Sequence, residues 1–191
     1  MRPIATTRSA TGIPTGRLAV WWVIASEIVI FGGLLASYLM HRLGHPEFAG
    51  PDYAGATTTW IGATNTFVLL TSSLFAVKAH DAAQKGNGPR AANFLWCTFG
   101  GGAMFLCIKA MEWTQEISHG YVITKNAFWS FYYVAAGIHA SHVIGGMVIM
   151  AILSSDVRNN RELQRVELIG NYWHFVDLIW IFLFPLLYIA K

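Results

Sequence analysis

Five apolar stretches, 18–40, 57–79, 91–113, 127–153 and 169–190, take up most of the 191 residues, and each is long enough to cross a lipid bilayer. A bilayer core of roughly 30 Å needs about 20 apolar residues as a helix, because in lipid every backbone N–H and C=O has to be satisfied within the protein. The chain is therefore expected to be an all-α polytopic membrane protein, a bundle of five transmembrane helices. With 54% hydrophobic and only 12% charged residues, the composition agrees. Attention then falls on the residues that break the pattern. Glu27, Lys109, Glu112, His139, His142, His174 and Asp177 lie within or at the edges of the stretches, where a charge at the centre costs at least ~2.5–3.5 kcal/mol.

Basic residues set the orientation, because loops on the cytoplasmic side retain Lys and Arg. Arg2, Arg8, Arg17, Lys78, Lys85, Arg90, Arg158, Arg161 and Arg165 fall on one side, whereas Arg42, Lys125 and Lys191 fall on the other. This bias places the N-terminus in the cytoplasm and the C-terminus outside. The net charge of +3 then describes a positive-inside membrane protein facing anionic lipid heads, and gives no reason to invoke nucleic acid. Trp21, Trp22, Trp96, Tyr172 and Trp173 read as an inner aromatic belt, and Tyr38, Trp60, Trp113, Trp129, Tyr132 and Tyr188 as an outer one.

Residues 1–16 are polar and lack the apolar core of a secretory signal, so they read as a cytoplasmic tail ahead of a single membrane domain, 17–191. The segment 42–56 is the longest outer loop, and 81–90 is a short inner loop whose Lys-Gly-Asn-Gly-Pro run favours a tight turn. Gly137, Ser141 and Gly145, and the pairs Gly32/Ala36 and Gly33/Ser37, form small-residue stripes of the kind that meet other helices in lipid. Gly100, Gly101 and Gly102 suggest close contact with a neighbouring helix or a lipid chain. Cys97 and Cys107 lie about 15 Å apart on one helix, too far to bridge, and read as buried small apolar residues.

Glu27 stands nine residues into the first span, about 14 Å along the axis and near mid-membrane. A carboxyl there stays neutral, finds a partner or needs a water-lined path, so it is a candidate proton-handling group or a tie to a partner. Lys109 and Glu112 can share one helix face, either as a structural ion pair or as a site for a phospholipid head. His139/His142 and His174/Asp177 are also i, i+3 pairs. A metal site requires three or four convergent ligands or paired Glu-x-x-His motifs, and the tetrapeptide Glu116-Ile-Ser-His119 stands alone in an expected outer loop. Polar ties between helices are therefore the expected use of these histidines. No catalytic residue and no metal ligand is assigned to the chain.

The run Asn171-Tyr172-Trp173-His174-Phe175-Val176-Asp177-Leu178-Ile179-Trp180 closely resembles the last-helix signature of subunit III of haem-copper cytochrome c oxidases. Ser26-Glu27-Ile28-Val29-Ile30-Phe31, Asn65-Thr66-Phe67-Val68-Leu69-Leu70, Glu112-Trp113 and Gly137-Ile138-His139-Ala140-Ser141-His142-Val143-Ile144-Gly145 fall in the same order as in that family. The resemblance runs from about Arg17 to the end.

It implies a non-catalytic subunit of a proton-pumping terminal oxidase that reduces oxygen to water. Such a subunit packs on subunit I beside subunit II and a small subunit IV, with haem and copper held by its partners and none by itself. The resemblance also implies phospholipid in a cleft, support of proton uptake and of turnover stability, and a membrane-buried glutamate that reacts with a carbodiimide, at the position of Glu27. Long members carry two further helices before that glutamate, so this chain looks like the five-helix bacterial form, expected in the bacterial inner membrane. The electron donor, cytochrome c or quinol, is not fixed by this subunit. Two other readings stay open: the similar accessory protein of nitric oxide reductases, and a free-standing proton-coupled transporter, against which the lack of an internal repeat weighs.

Overall fold

The structure, a computed structural model, describes residues 15–45, 48 and 57–190. Five helices carry the chain: α1 (Thr15–Gly44), α2 (Thr59–Gln84), α3 (Gly88–Ser118), α4 (Ala127–Arg158) and α5 (Arg165–Phe184), the last continued by a π-helical turn, Pro185–Ile189. All five are long and apolar enough to cross a membrane, and no strand occurs among the described residues. The all-α expectation holds. The cytoplasmic tail falls outside the described residues apart from its last two, as does most of the 42–56 loop.

Helices α1 to α4 are longer than their apolar stretches, and α5 starts four residues ahead of its own. α2 begins at Thr59 rather than 57 and runs on to Gln84, so the inner loop expected over 81–90 shrinks to the turn Lys85–Asn87. Gly86 takes φ +71 there, a left-handed conformation that glycine adopts without penalty. Asn87 caps α3 by accepting from the Arg90 N–H at 3.1 Å, and Asn126 caps α4 by accepting from the Trp129 N–H at 3.0 Å. These polar extensions reach into the headgroup level, where hydropathy stops reporting the helix although its backbone ladder continues.

Helices α2 to α5 form a four-membered ring in which α2 packs on α3, α3 on α4, α4 on α5 and α5 back on α2. Helix α1 lies outside that ring across the α4/α5 seam. Only its stripe Glu27, Phe31 and Tyr38 is buried, at the i, i+4, i+11 spacing of one helical face.

The small residues act differently from the sequence expectation. Gly32, Gly33 and Gly137 have open space where a side chain would stand, Ser141 is exposed, and Gly145 only approaches the Tyr172 hydroxyl. The stripes on α1 and α4 therefore do not make the close helix contacts. Those occur where a glycine meets a side chain of the neighbouring helix: Gly62 against Phe184 and Tyr188, Gly101 against Ser72, Gly102 and Gly146 against Trp173. The interior is filled by aromatics, so Trp129, Tyr132, Trp173 and Tyr188 are buried in the core rather than forming belts, and Tyr38 is buried with them. Trp21, Trp22, Trp60 and Trp96 are exposed, as a belt requires. Cys97 and Cys107 are exposed as well, correcting the expectation that they are buried.

The three consecutive glycines of α3 make a graded test. Gly100 has nothing within 4 Å of a built Cβ, whereas at Gly101 the Ser72 Cβ would lie 2.4 Å away. Gly100→Ala should be neutral or stabilising, and Gly101→Val should cost about 1–3 kcal/mol through overpacking, read as thermal unfolding in detergent.

Candidate functional site: buried polar ties across the bundle

Lys109 is 1% exposed, on the face of α3 that looks into the ring. Its ammonium donates to Glu112 Oε2 at 2.9 Å, to the Tyr132 hydroxyl at 2.9 Å and to the Tyr188 hydroxyl. All three of its donors are used. The Tyr188 hydroxyl in turn donates to Glu112 Oε1 at 2.8 Å, so the carboxylate is held from two sides. Four rings surround the cation, with centroids at 4.5 Å for Tyr132, 5.1 Å for Tyr188, 5.5 Å for Trp180 and 5.8 Å for Trp113. Their negative faces supply part of the solvation that lipid cannot. A buried knot of charge-assisted hydrogen bonds thus joins α3 to α4 and to the end of α5.

The π-helical turn puts Tyr188 within reach. Pro185 has no N–H and interrupts the α ladder, and the wider turn closes with the Ala190 N–H on the Pro185 carbonyl at 2.8 Å. Neighbouring helices take up the carbonyls around that turn: Tyr38 of α1 donates to Leu186 O at 3.0 Å, and Thr59 of α2 donates to Tyr188 O at 3.0 Å.

Glu27 and His142 form the second tie, between α1 and α4. His142 Nε2 lies 3.0 Å from Glu27 Oε1, and His142 Nδ1 lies 2.8 Å from the Ile138 carbonyl of its own helix. A carbonyl only accepts, so Nδ1 carries a hydrogen. One further proton must then lie between Nε2 and Oε1, on the carboxyl or on the ring. In either form the pair is net neutral and holds one proton at that contact. Phe31 packs edge-on against the His142 ring, and Glu27 Oε2 is buried without a partner among the described residues. Arg17 makes a bidentate pair with Glu167 of α5 at 3.0 and 3.2 Å. Helix α1 is therefore pinned at three levels, by Arg17, Glu27 and Tyr38.

The other predicted residues separate. His139 is fully buried in the ring against Phe105 and Trp180, with centroids 5.4 and 5.1 Å away, and does not share His142's surroundings. His174 bonds to Ser73 of α2 through Nδ1, and buried Asp177 sits beside the same serine without hydrogen-bond geometry. Glu116 is not in a loop: it is buried in the last turn of α3, with His119 at the cap. No group of three or more His, Cys, Asp or Glu comes together as a metal site among the described residues. Sequence reasoning missed Ser73, Tyr132 and Tyr188 as partners of the predicted residues. An aromatic near the end of an apolar stretch looks the same whether it faces the headgroups or the interior.

Between the N-terminal part of α1, the C-terminal half of α4 and the N-terminal part of α5 runs a groove of about 700 Å³, lined by Ala19, Val20, Val23, Gly145, Ile149 and Tyr172, with Asp156 and Arg165 also on its wall. Its lining is almost wholly apolar, within the usual size of a small-molecule site.

Fold and interior together define a polytopic helical membrane protein whose charged groups close on one another. A model of the family described as cytochrome c oxidase subunit III matches residues 6–191. The chain is 35% identical over 172 residues to cytochrome c oxidase subunit 3 of Thermostichus vulcanus, covering 87% of this chain and 83% of that one. It is 29% identical to the protein of the same name from Bacillus sp. (strain PS3), over 98% and 92% of the two chains. A heme-copper oxidase subunit I+III of Aeropyrum pernix is 28% identical over 91% of this chain, which spans 22% of that longer protein. The chain belongs to the cytochrome c oxidase subunit III family.

Two outcomes follow from these ties. Lys109→Met leaves Glu112 as a buried charge without its counter-ion and should cost about 3–5 kcal/mol, and the added Glu112→Gln should recover part of that loss, both read as unfolding in detergent. Glu27→Gln keeps a donor for His142 Nε2 and should hold α1 in place. Glu27→Leu should instead loosen it by about 0.6–1.7 kcal/mol in the same measurement.

Proposed function

We propose that this chain is the non-catalytic subunit III of a bacterial terminal oxidase that reduces oxygen to water, packing on the subunit that carries haem and copper. The family match over nearly the whole chain carries the reading. The side-chain geometry supports it: Lys109, Glu112, Glu27 and His142 are spent on one another, as expected of a subunit whose work is assembly. The fused subunit I+III of Aeropyrum pernix supports direct contact with subunit I here. Subunit II and a small fourth subunit complete the proposed complex, and cytochrome c or a quinol feeds it. The bias of Lys and Arg toward one side of the spans supports an N-terminus in the cytoplasm.

The groove beside α1 takes a phospholipid acyl chain in this reading, with Arg165 toward the phosphate. A bound lipid there wedges α1 against α4 and α5, and through subunit I supports proton uptake and stability during turnover.

Purification of the tagged chain from native membranes in mild detergent tests the reading. A reduced-minus-oxidised spectrum with haem bands and an oxidase subunit I by mass is the expected result; a nitric oxide reductase, or a haem-free preparation, would overturn it. For the lipid, Gly145→Leu fills the groove from a position whose nearest built contact is the Tyr172 hydroxyl at 3.8 Å. It should lower the phospholipid retained per complex while leaving the subunits together.

A further inference from the structure

A second cavity, of about 460 Å³, lies at the end of the bundle where α2 passes through the turn Lys85–Asn87 into α3. Lys78, Asp81 and Lys85 line it from the α2 side, and Asn87, Arg90 and Phe94 from the α3 side. Its size is that of a small-ligand site. Unlike the groove beside α1, it is walled by charge.

Those charges do not cancel. Asp81 is taken by Lys85, whose ammonium donates to its Oδ2 at 2.6 Å. The Lys78 ammonium has only the Phe75 ring, with the centroid 5.7 Å away, and the Arg90 guanidinium takes no hydrogen bond or ion pair among the described residues. Three cations against one carboxylate therefore leave two positive charges on the wall of one cavity. The Asn87 side-chain amide adds N–H donors, since its Oδ1 is spent on the cap of α3. Other arginines at this end of the bundle are committed, Arg17 to Glu167, Arg158 to Asn93 and Arg165 to Glu162, at distances between 2.7 and 3.1 Å. Arg161 is exposed and unpaired among the described residues, but it lies outside the cavity.

Deeper along the helices the wall turns apolar. Lys78 and Phe94 each stand about 9 Å along the axis from the turn. At that level the rings of Phe75 and Phe94 stack across the two helices, with centroids 6.5 Å apart and 17° between their planes. About one turn further lie Leu74 on α2 and Cys97 on α3, both exposed. A ligand that fills this outline carries negative charge at one end and hydrocarbon at the other. A soluble anion would use only the charged part, and an acidic protein segment would leave the apolar seam uncovered.

A phosphodiester offers Arg90 two oxygens for a bidentate contact and Lys78 a point of negative charge. A zwitterionic head would bring its own cation against these two. We infer that the α2/α3 cavity binds the head of an anionic phospholipid, a phosphodiester without an amine, whose acyl chains run down the Phe75/Phe94 seam. The site is separate from the groove beside α1. It requires only that the chain spans a membrane, and holds whichever complex the chain joins.

For the test, the chain and the subunits that accompany it from native membranes are reconstituted in nanodiscs. These contain phosphatidylglycerol or phosphatidylcholine with a photoreactive group at the top of one acyl chain, and adducts are mapped by mass after irradiation. Labelling around Leu74 and Cys97 by phosphatidylglycerol should exceed that by phosphatidylcholine by about fivefold or more. Lys78→Gln and Arg90→Gln should each lower it about fivefold, the loss expected for one basic contact at a membrane surface. Asp81→Asn, which frees Lys85, should raise it, and Arg161→Gln should leave it unchanged. Equal labelling by the two lipids, or an equal loss in Arg161→Gln, would overturn the site in favour of a general surface field. Displacement of the lipid by inorganic phosphate, but not by chloride at the same ionic strength, would reassign the cavity to a soluble anion. A zero-length crosslink from Lys78 or Lys85 to a carboxylate of a neighbouring protein, without lipid adducts, would overturn it in favour of a protein contact.

Discussion

The buried pair of Lys109 and Glu112 sets the terms for the end of the bundle at which α3 and α5 finish. An ammonium inside a membrane protein is tolerated only when each of its protons finds an acceptor and its counter-charge is held in place. Here that requirement brings Tyr132 in from α4 and Tyr188 in from the turn after α5. The π-helical turn that presents Tyr188 has carbonyls facing its neighbours, and α1 and α2 supply donors to them through Tyr38 and Thr59. One charge pair thus organises contacts among all five helices at one end of the molecule.

Toward the middle and the opposite end of the bundle the solution is looser. Helix α1 stands outside the ring and is pinned by Arg17, Glu27 and Tyr38, leaving beside it a groove that its own side chains do not fill. A helix held by a few polar ties, with apolar space at its flank, is what the proposed role requires, in which lipid and a neighbouring subunit complete the packing.

The helices were legible in the sequence because the thickness of the bilayer imposes both length and composition on each of them. Their ends were less legible: hydropathy fades at the headgroup level while Gln84, Ser118 and Arg158 continue their helices. The residues that break the apolar pattern were also legible as residues, since each is expensive in lipid. Their partners were not. Nothing in spacing distinguishes Tyr188 at a belt from Tyr188 against Lys109, or shows that His142 faces Glu27 while His139, three residues earlier, faces Trp180. Partner choice depends on the rotation of each helix about its axis, which in lipid is set by packing of bulky rings against glycines such as Gly102 and Gly146 rather than by a polar and an apolar face.

The ionisable groups of this chain hold its helices together, and in the proposed role redox chemistry resides in its partners. Selective dissociation of the chain from the purified oxidase, followed by haem and copper analysis of both fractions and by the initial rate of oxygen uptake, is the decisive measurement. Haem, copper and initial oxygen reduction are expected to stay with the depleted complex. Haem or copper leaving in stoichiometric amount with this chain would contradict it.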